Sequence, residues 1–177
     1  LNNYLFQACA IRLTRHDLKG ADSIAMSYIR HLAPENTIDP FVRDNMQQQL
    51  GDYIAGMAYL FHSYTSIADN TKNTPREENL ALFNLTVKYL DAAGLHFQTA
   101  LAQFPAITYR YAKYLYEYAV LIDTWLRCCL DQQRSEMITR KRCELLSKAK
   151  PLAGLLDINP VSLRLQKNID SCFNACH

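Results

Sequence analysis

Glycine is scarce in this chain, five residues in 177, and no stretch alternates polar with apolar side chains. These two absences exclude a fold of strands joined by tight turns. Nucleophile and phosphate-binding signatures are missing as well. The sequence has no Gly-x-Ser-x-Gly elbow, no glycine-rich phosphate loop, no His-Glu-x-x-His and no Glu-x-x-His pair of the kind that loads a di-iron bundle. Its five histidines, His16, His31, His62, His96 and His177, are scattered. No catalytic residue, no metal and no cofactor is expected. A bilayer-spanning run is lacking too, because the most apolar stretch, Tyr114 to Leu130, is interrupted by Glu117, Asp123 and Arg127.

What the chain has instead is helical periodicity. Three segments, 40–69, 75–104 and 105–133, each open on a proline and carry apolar residues at steps of three and four. The registers are Met46, Leu50, Tyr53, Met57, Leu60, Tyr64 and Ile67; then Leu80, Phe83, Val87, Leu90, Gly94, Phe97, Leu101 and Phe104; then Ile107, Tyr111, Tyr114, Tyr118, Leu121, Trp125 and Cys128. A mean step of 3.5 keeps one stripe facing a neighbour along a whole helix. The third segment carries a parallel stripe, Leu115, Ala119, Ile122, Leu126 and Cys129, which predicts a central helix with several partners. Asp39-Pro40 and the capping box Thr74-Pro75-Arg76-Glu77 mark helix starts. The polar loop Asn70 to Asn73 predicts antiparallel neighbours.

Shorter helices are expected at 4–13, 21–32 and 135–150, the last stopped by Pro151. A final one is capped by Asn159-Pro160, with Val161, Leu165, Ile169, Cys172 and Phe173 inward. The fold expected is all-α: an antiparallel bundle or short helical solenoid of five to seven helices, three of them long. We read residues 1–177 as a single helical domain. Opening on Leu1, it is compatible with a domain excised from a longer chain.

Charge and aromatic patterning suggest a binding role. Residues 1–133 hold 11 Lys+Arg against 13 Asp+Glu, net −2, whereas residues 134–177 hold 8 against 4, net +4. Five tyrosines, Tyr109, Tyr111, Tyr114, Tyr116 and Tyr118, fall within ten positions. At 100° per residue Tyr111, Tyr114 and Tyr118 follow the core stripe, while Tyr109 and Tyr116 diverge from it. The expected partner-binding residues are therefore Tyr109 and Tyr116 as aromatic anchors, with Arg140, Lys141 and Arg142 as a basic rim. Gly51, Ala55 and Gly56 would admit the close approach of another helix. One basic helix beside an acidic body does not supply the wide positive field that nucleic acid requires.

The six cysteines fall on predicted helices, which points to reduced thiols and an intracellular, cytoplasmic protein. Cys172-x3-Cys176-His177 has one face of a metal site but not four ligands.

Two stretches carry family resemblances. Ala93, Phe97, Ala100 and Pro105, with Leu80-Ala81 upstream, resemble one degenerate copy of the tetratricopeptide repeat over about 26 residues. The chain departs from that family in lacking a turn between half-repeats and in failing to repeat one period on, at Arg127. The stretch from Lys141-Arg142 through Pro151-Leu152 to Asp157-Ile158-Asn159-Pro160 resembles the C-terminal part of kinesin-binding-protein-type helical adaptors. Both resemblances imply a scaffold that binds another protein's helix. The function expected is a non-catalytic protein–protein interaction module or adaptor, its partner an acidic or helical peptide segment. A bundle binding an apolar small ligand is the second reading, and an enzyme of unfamiliar type the third.

Overall fold

The computed structural model describes residues 2–32, 40–65, 76–126 and 132–176, most of them helical. Among the described residues there are seven α-helices and no strand: α1 (Asn2–Thr14), α2 (Leu18–His31), α3 (Pro40–Ser63), α4 (Arg76–Gln103), α5 (Thr108–Leu126), α6 (Gln132–Ala153) and α7 (Pro160–Asn174). A 3₁₀ turn at Pro105–Ile107 precedes α5. None of these helices is long and apolar enough to cross a membrane. The helices fall into two compact units, Leu1–Ala100 and Leu101–His177.

In the first unit α3 and α4 run antiparallel. Phe97 meets Gly51, Phe61 stacks on Tyr89 and His96 bonds Gln47, so positions climb on one helix as they descend on the other. A Cβ at Gly51 would lie 3.3 Å from the Phe97 ring, closer than most packed side chains come. The small residue thus lets an aromatic ring sit against the backbone of α3. Gly56 does the same for Phe6 of α1. The small-residue face expected to receive another helix is therefore covered by rings from within this unit.

The buried face of α4 is wider than its predicted stripe. Phe83, Leu90 and Phe97 are buried as expected, but so are Leu82, Thr86, Tyr89, Ala93 and Ala100, while Leu80, Val87, Gly94 and Leu101 sit half-buried at the edge. A helix touching more than one neighbour needs two adjoining stripes, and the single register read from the sequence left out the second, Leu82, Tyr89, Ala93 and Ala100 with Thr86. Thr86 is tolerated because its hydroxyl donates to Leu82 O of the preceding turn. Tyr89 donates to Asp22 Oδ1 of α2 at 2.8 Å, and Lys88 Nζ reaches the same carboxylate at 2.8 and 3.0 Å. Tyr53, tilted against Phe6 and Tyr28, is buried with its hydroxyl unpartnered.

The α1–α2 turn is tight, and His16 occupies a left-handed conformation with φ 58°. Asp17 caps α2 by accepting from Gly20 N at 2.9 Å, and Arg12 Nη1 donates to the same carboxylate at 2.8 Å. Those two bonds, the backbone one first, hold its carboxyl below the usual range. A side chain at position 20 would displace that carboxylate.

In the second unit α5 is the central helix. Tyr111, Ala112, Tyr114, Leu115, Tyr118, Ala119, Leu121, Ile122 and Trp125 are buried, and α5 contacts both α6 and α7. Residues 127–131, with the ends of both stripes at Cys128 and Cys129, lie outside the described residues. So do the start signals Asp39 and Thr74 and the loop Asn70 to Asn73. Helix α6 does not stop at Pro151 but runs on to Ala153. Proline's φ suits a helix, and so near the end the ring removes a single backbone bond. Gln166 Nε2 then donates to Ala153 O at 2.6 Å, satisfying one terminal carbonyl of α6.

Asn159 caps α7 as expected, accepting from Val161 N and Ser162 N. Its amide also donates to Ser162 Oγ at 3.0 Å, so Ser162 turns inward and is buried. Val161, expected inward, is instead 60% exposed. The cap overrides the apolar pattern, and Leu165 and Ile169 carry the contact.

The core assignment has a direct check. Phe97→Ala, which removes the ring over Gly51, is expected to cost about 3–5 kcal/mol in chemical denaturation. Leu95→Ala, at a site 66% exposed, should stay within about 0.5 kcal/mol of the parent.

Burial also sets a pH dependence. His62 and His96 are both held below their ordinary value of 6.5 by desolvation. The unfolded chain therefore takes up protons more readily, and stability is full above about pH 6.5 and declines as the pH falls below it. The denaturation midpoint is expected to be lower at about pH 5.5 than at about pH 7.5, with the difference reduced in His96→Gln.

Candidate functional site

Helices α5 and α6 are antiparallel: Arg142 pairs with Asp123, Lys141 lies over the Tyr118 ring, and Lys148 acts on Tyr111. Helix α7 returns antiparallel to α6, with Lys150 Nζ over Phe173 at 4.2 Å and Gln166 bonded to Ala153. This up-down-up order separates the residues expected to form one binding surface. Tyr109 stands near the C-terminal end of α6, whereas Asp123, the partner of Arg142, lies fourteen residues along α5, about 21 Å away.

Each expected site residue has a definite place. Tyr109 is half-buried in the wall of a crevice of about 330 Å³ that also includes Pro105, Leu155, Asp157, Asn159 and Val161. Tyr116 is half-buried beside α7, where burial first, and then nearby Cys172, raises its phenol above the ordinary value. Arg142 is only 16% exposed and is engaged, its Nε 3.2 Å from Asp123 Oδ1 and its Nη1 3.8 Å from Cys176 Sγ. Lys141 Nζ sits 5.9 Å from the Tyr118 ring centre. Arg140 is exposed on α6 with Gln133, Glu136 and Met137. Tyr116 and Arg142 thus come to one place, near Cys172, while Tyr109 and Arg140 each stand elsewhere.

The α6–α7 turn, which forms one wall of the Tyr109 crevice, carries what the sequence reading missed. Leu155 is 76%, Ile158 89% and Val161 60% exposed, three large aliphatic side chains within seven positions of the α6–α7 turn. Leaving such groups in water is unfavourable by roughly 25 cal/mol per Å² of apolar surface. The signal was in plain view as Leu155-Leu156 and Ile158 flanking Asp157, but an apolar run beside a helix is ordinarily assigned to the core. Lys150, Arg164 and Lys167 supply positive charge on the flanking helices, and residues 101–177 hold 11 Lys+Arg against 7 Asp+Glu, net +4.

Other polar clusters have structural explanations. In the Lys88–Asp22–Tyr89 group, burial and then the Asp22 hydrogen bond push the phenol upward, which keeps Tyr89 a donor that ties α4 to α2. His16 Nδ1 and Glu78 Oε1, 2.6 Å apart, join the α1–α2 turn to α4. Among the described residues no three His, Cys, Asp or Glu side chains gather closely enough to hold a metal ion.

The cysteine expectation needs correction. Cys143 of α6 and Cys176 after α7 are joined by a disulfide, with Cα atoms 5.7 Å apart. The antiparallel α6–α7 pairing brings together two residues 33 positions apart, a proximity that sequence spacing does not reveal. Cys9 and Cys172 are free, and burial pushes the Cys9 thiol up to about 11. Comparison with protein-family models, curated proteins and solved structures finds no match for this chain.

The disulfide closes a long loop, so it narrows the unfolded ensemble. Cys143→Ser is expected to lower the stability of the α5–α7 unit by about 2–4 kcal/mol under non-reducing conditions, and reduction of the parent protein should match that loss.

Proposed function

We propose that this chain is a non-catalytic protein-interaction module whose α5–α7 unit receives an apolar segment of another protein in the crevice beside Tyr109. The observation that carries this reading is the exposure of Leu155 and Val161 in the wall of that crevice, with Ile158 exposed on the same turn. A cluster of exposed aliphatic residues is the usual mark of a contact surface, and a half-buried tyrosine in its wall is a suitable anchor. The positive charge of residues 101–177 favours a partner segment that is acidic outside its apolar face. The resemblances to tetratricopeptide and kinesin-binding-protein-type adaptors point in the same direction.

This reading shifts the expected surface. Tyr109 stays in it. Tyr116 and Arg142 leave it, because they face the Cys172 region, and Arg140 and Lys141 act only as distant contributors to the positive field. The proposal does not depend on an intracellular location, which the argument from reduced cysteines no longer supports.

The test compares proteins retained from the native source by the parent chain with those retained by Leu155→Asp and Tyr109→Ala, each confirmed helical by circular dichroism. A genuine partner is expected to bind the parent, to be lost with Leu155→Asp and to leave faster from Tyr109→Ala. Its association should slow as salt rises. If both variants retain the same proteins at the same rates, the crevice is not the binding surface.

A further inference from the structure

Three sulfur atoms lie at the end of the α6–α7 pair distant from the crevice. Cys143 and Cys176 are linked, and Cys172 is free, half-buried and four residues before Cys176 on α7. A four-residue step along a helix rises about 6 Å, within the Cα separation that disulfides span. The backbone bond from Cys176 N to Phe173 O, 2.9 Å, tightens the turn between them. Cys172 also lines a cavity of about 210 Å³ with Ala119, Val120, Asp123, Arg142 and Leu146, so a small reagent has a path to its thiol. The guanidinium of Arg142 is fixed by Asp123 and stands 3.8 Å from Cys176 Sγ, positive charge beside the sulfur that an incoming thiolate would attack.

We propose that Cys143, Cys172 and Cys176 form an exchange site in which the disulfide moves from the α6–α7 pair into α7. The Cys172 thiolate attacks Cys176 Sγ. A Cys172–Cys176 bond forms, the Cys143–Cys176 bond breaks, and Cys143 leaves as a thiolate that takes up the proton lost by Cys172. No electron is gained or lost, so no external oxidant or reductant is needed. Negative charge stays on sulfur throughout the exchange. Cys9 is not a competitor: it lies in the other unit, buried, with its thiol donating to Ala21 O. The consequence is mechanical. In one state α7 is covalently held to α6; in the other α7 is locked only on itself and rests on α6 by packing alone.

The experiment is disulfide mapping of the purified, unreduced chain, trapped with iodoacetamide before and after prolonged incubation and read by peptide mass spectrometry. Two species are expected: Cys143–Cys176 with alkylated Cys172, and Cys172–Cys176 with alkylated Cys143. Cys172→Ser should lose the second species completely. Cys143→Ser, oxidised with glutathione disulfide, should form the Cys172–Cys176 link and remain helical by circular dichroism. The proposal fails if the parent holds only the Cys143–Cys176 link at all times, or if Cys143→Ser leaves Cys172 and Cys176 unlinked. It fails equally if the three thiols stay free under glutathione disulfide.

Discussion

A helix with apolar residues at every third or fourth position leaves a continuous stripe in water until another helix covers it, and that requirement organises both units. In the first, Phe97 of α4 lies against the bare backbone at Gly51 of α3, and Phe61 of α3 stacks on Tyr89 of α4, ring centres 5.1 Å apart. In the second, Tyr111, Tyr114, Tyr118 and Trp125 of α5 are buried, and α5 packs on α6 and α7. Burial of this kind is non-directional, so it selects which faces meet without selecting much else.

Direction comes from polar groups that must be satisfied when buried. Asp22 takes a hydrogen bond from Tyr89 and an ion pair from Lys88, fixing α2 against α4. Arg142 and Asp123 do the same for α6 and α5, and Gln166 closes the end of α6 from α7. Each is a side chain reaching across to a neighbouring helix, and a register slip of one residue would leave a partly buried charge or a helix-end carbonyl without its partner. Tyr53 shows the opposite case, a buried hydroxyl with no partner, kept where the ring's contacts with Phe6 and Tyr28 outweigh the loss.

The two features with chemical potential lie at opposite ends of the α6–α7 hairpin. At its turn, Leu155 and Val161 are exposed beside Tyr109, with Ile158 exposed between them in sequence. At its open end, a disulfide and a free thiol meet beside Arg142. Antiparallel pairing produces both: it projects the connecting turn into solvent, and it returns Cys176 to the level of Cys143.

The sequence by itself determined the helices, because periodicity and capping are local properties. The stripes at Leu50, Tyr53 and Met57 and at Tyr111, Tyr114 and Tyr118 are buried, and Asn159 caps α7 through the bonds its side chain is built to accept. The all-α class follows from those elements alone. Where local rules competed, the reading failed: Pro151 did not end α6, and the cap at Asn159 turned Ser162 inward in place of Val161. Only the tertiary structure decided which residues share a surface. Tyr109 and the Asp123 that holds Arg142 stand about 21 Å apart along α5, while Cys143 and Cys176, 33 positions apart, are bonded. Spacing along a helix is written into the chain, but proximity between helices depends on how their buried faces meet.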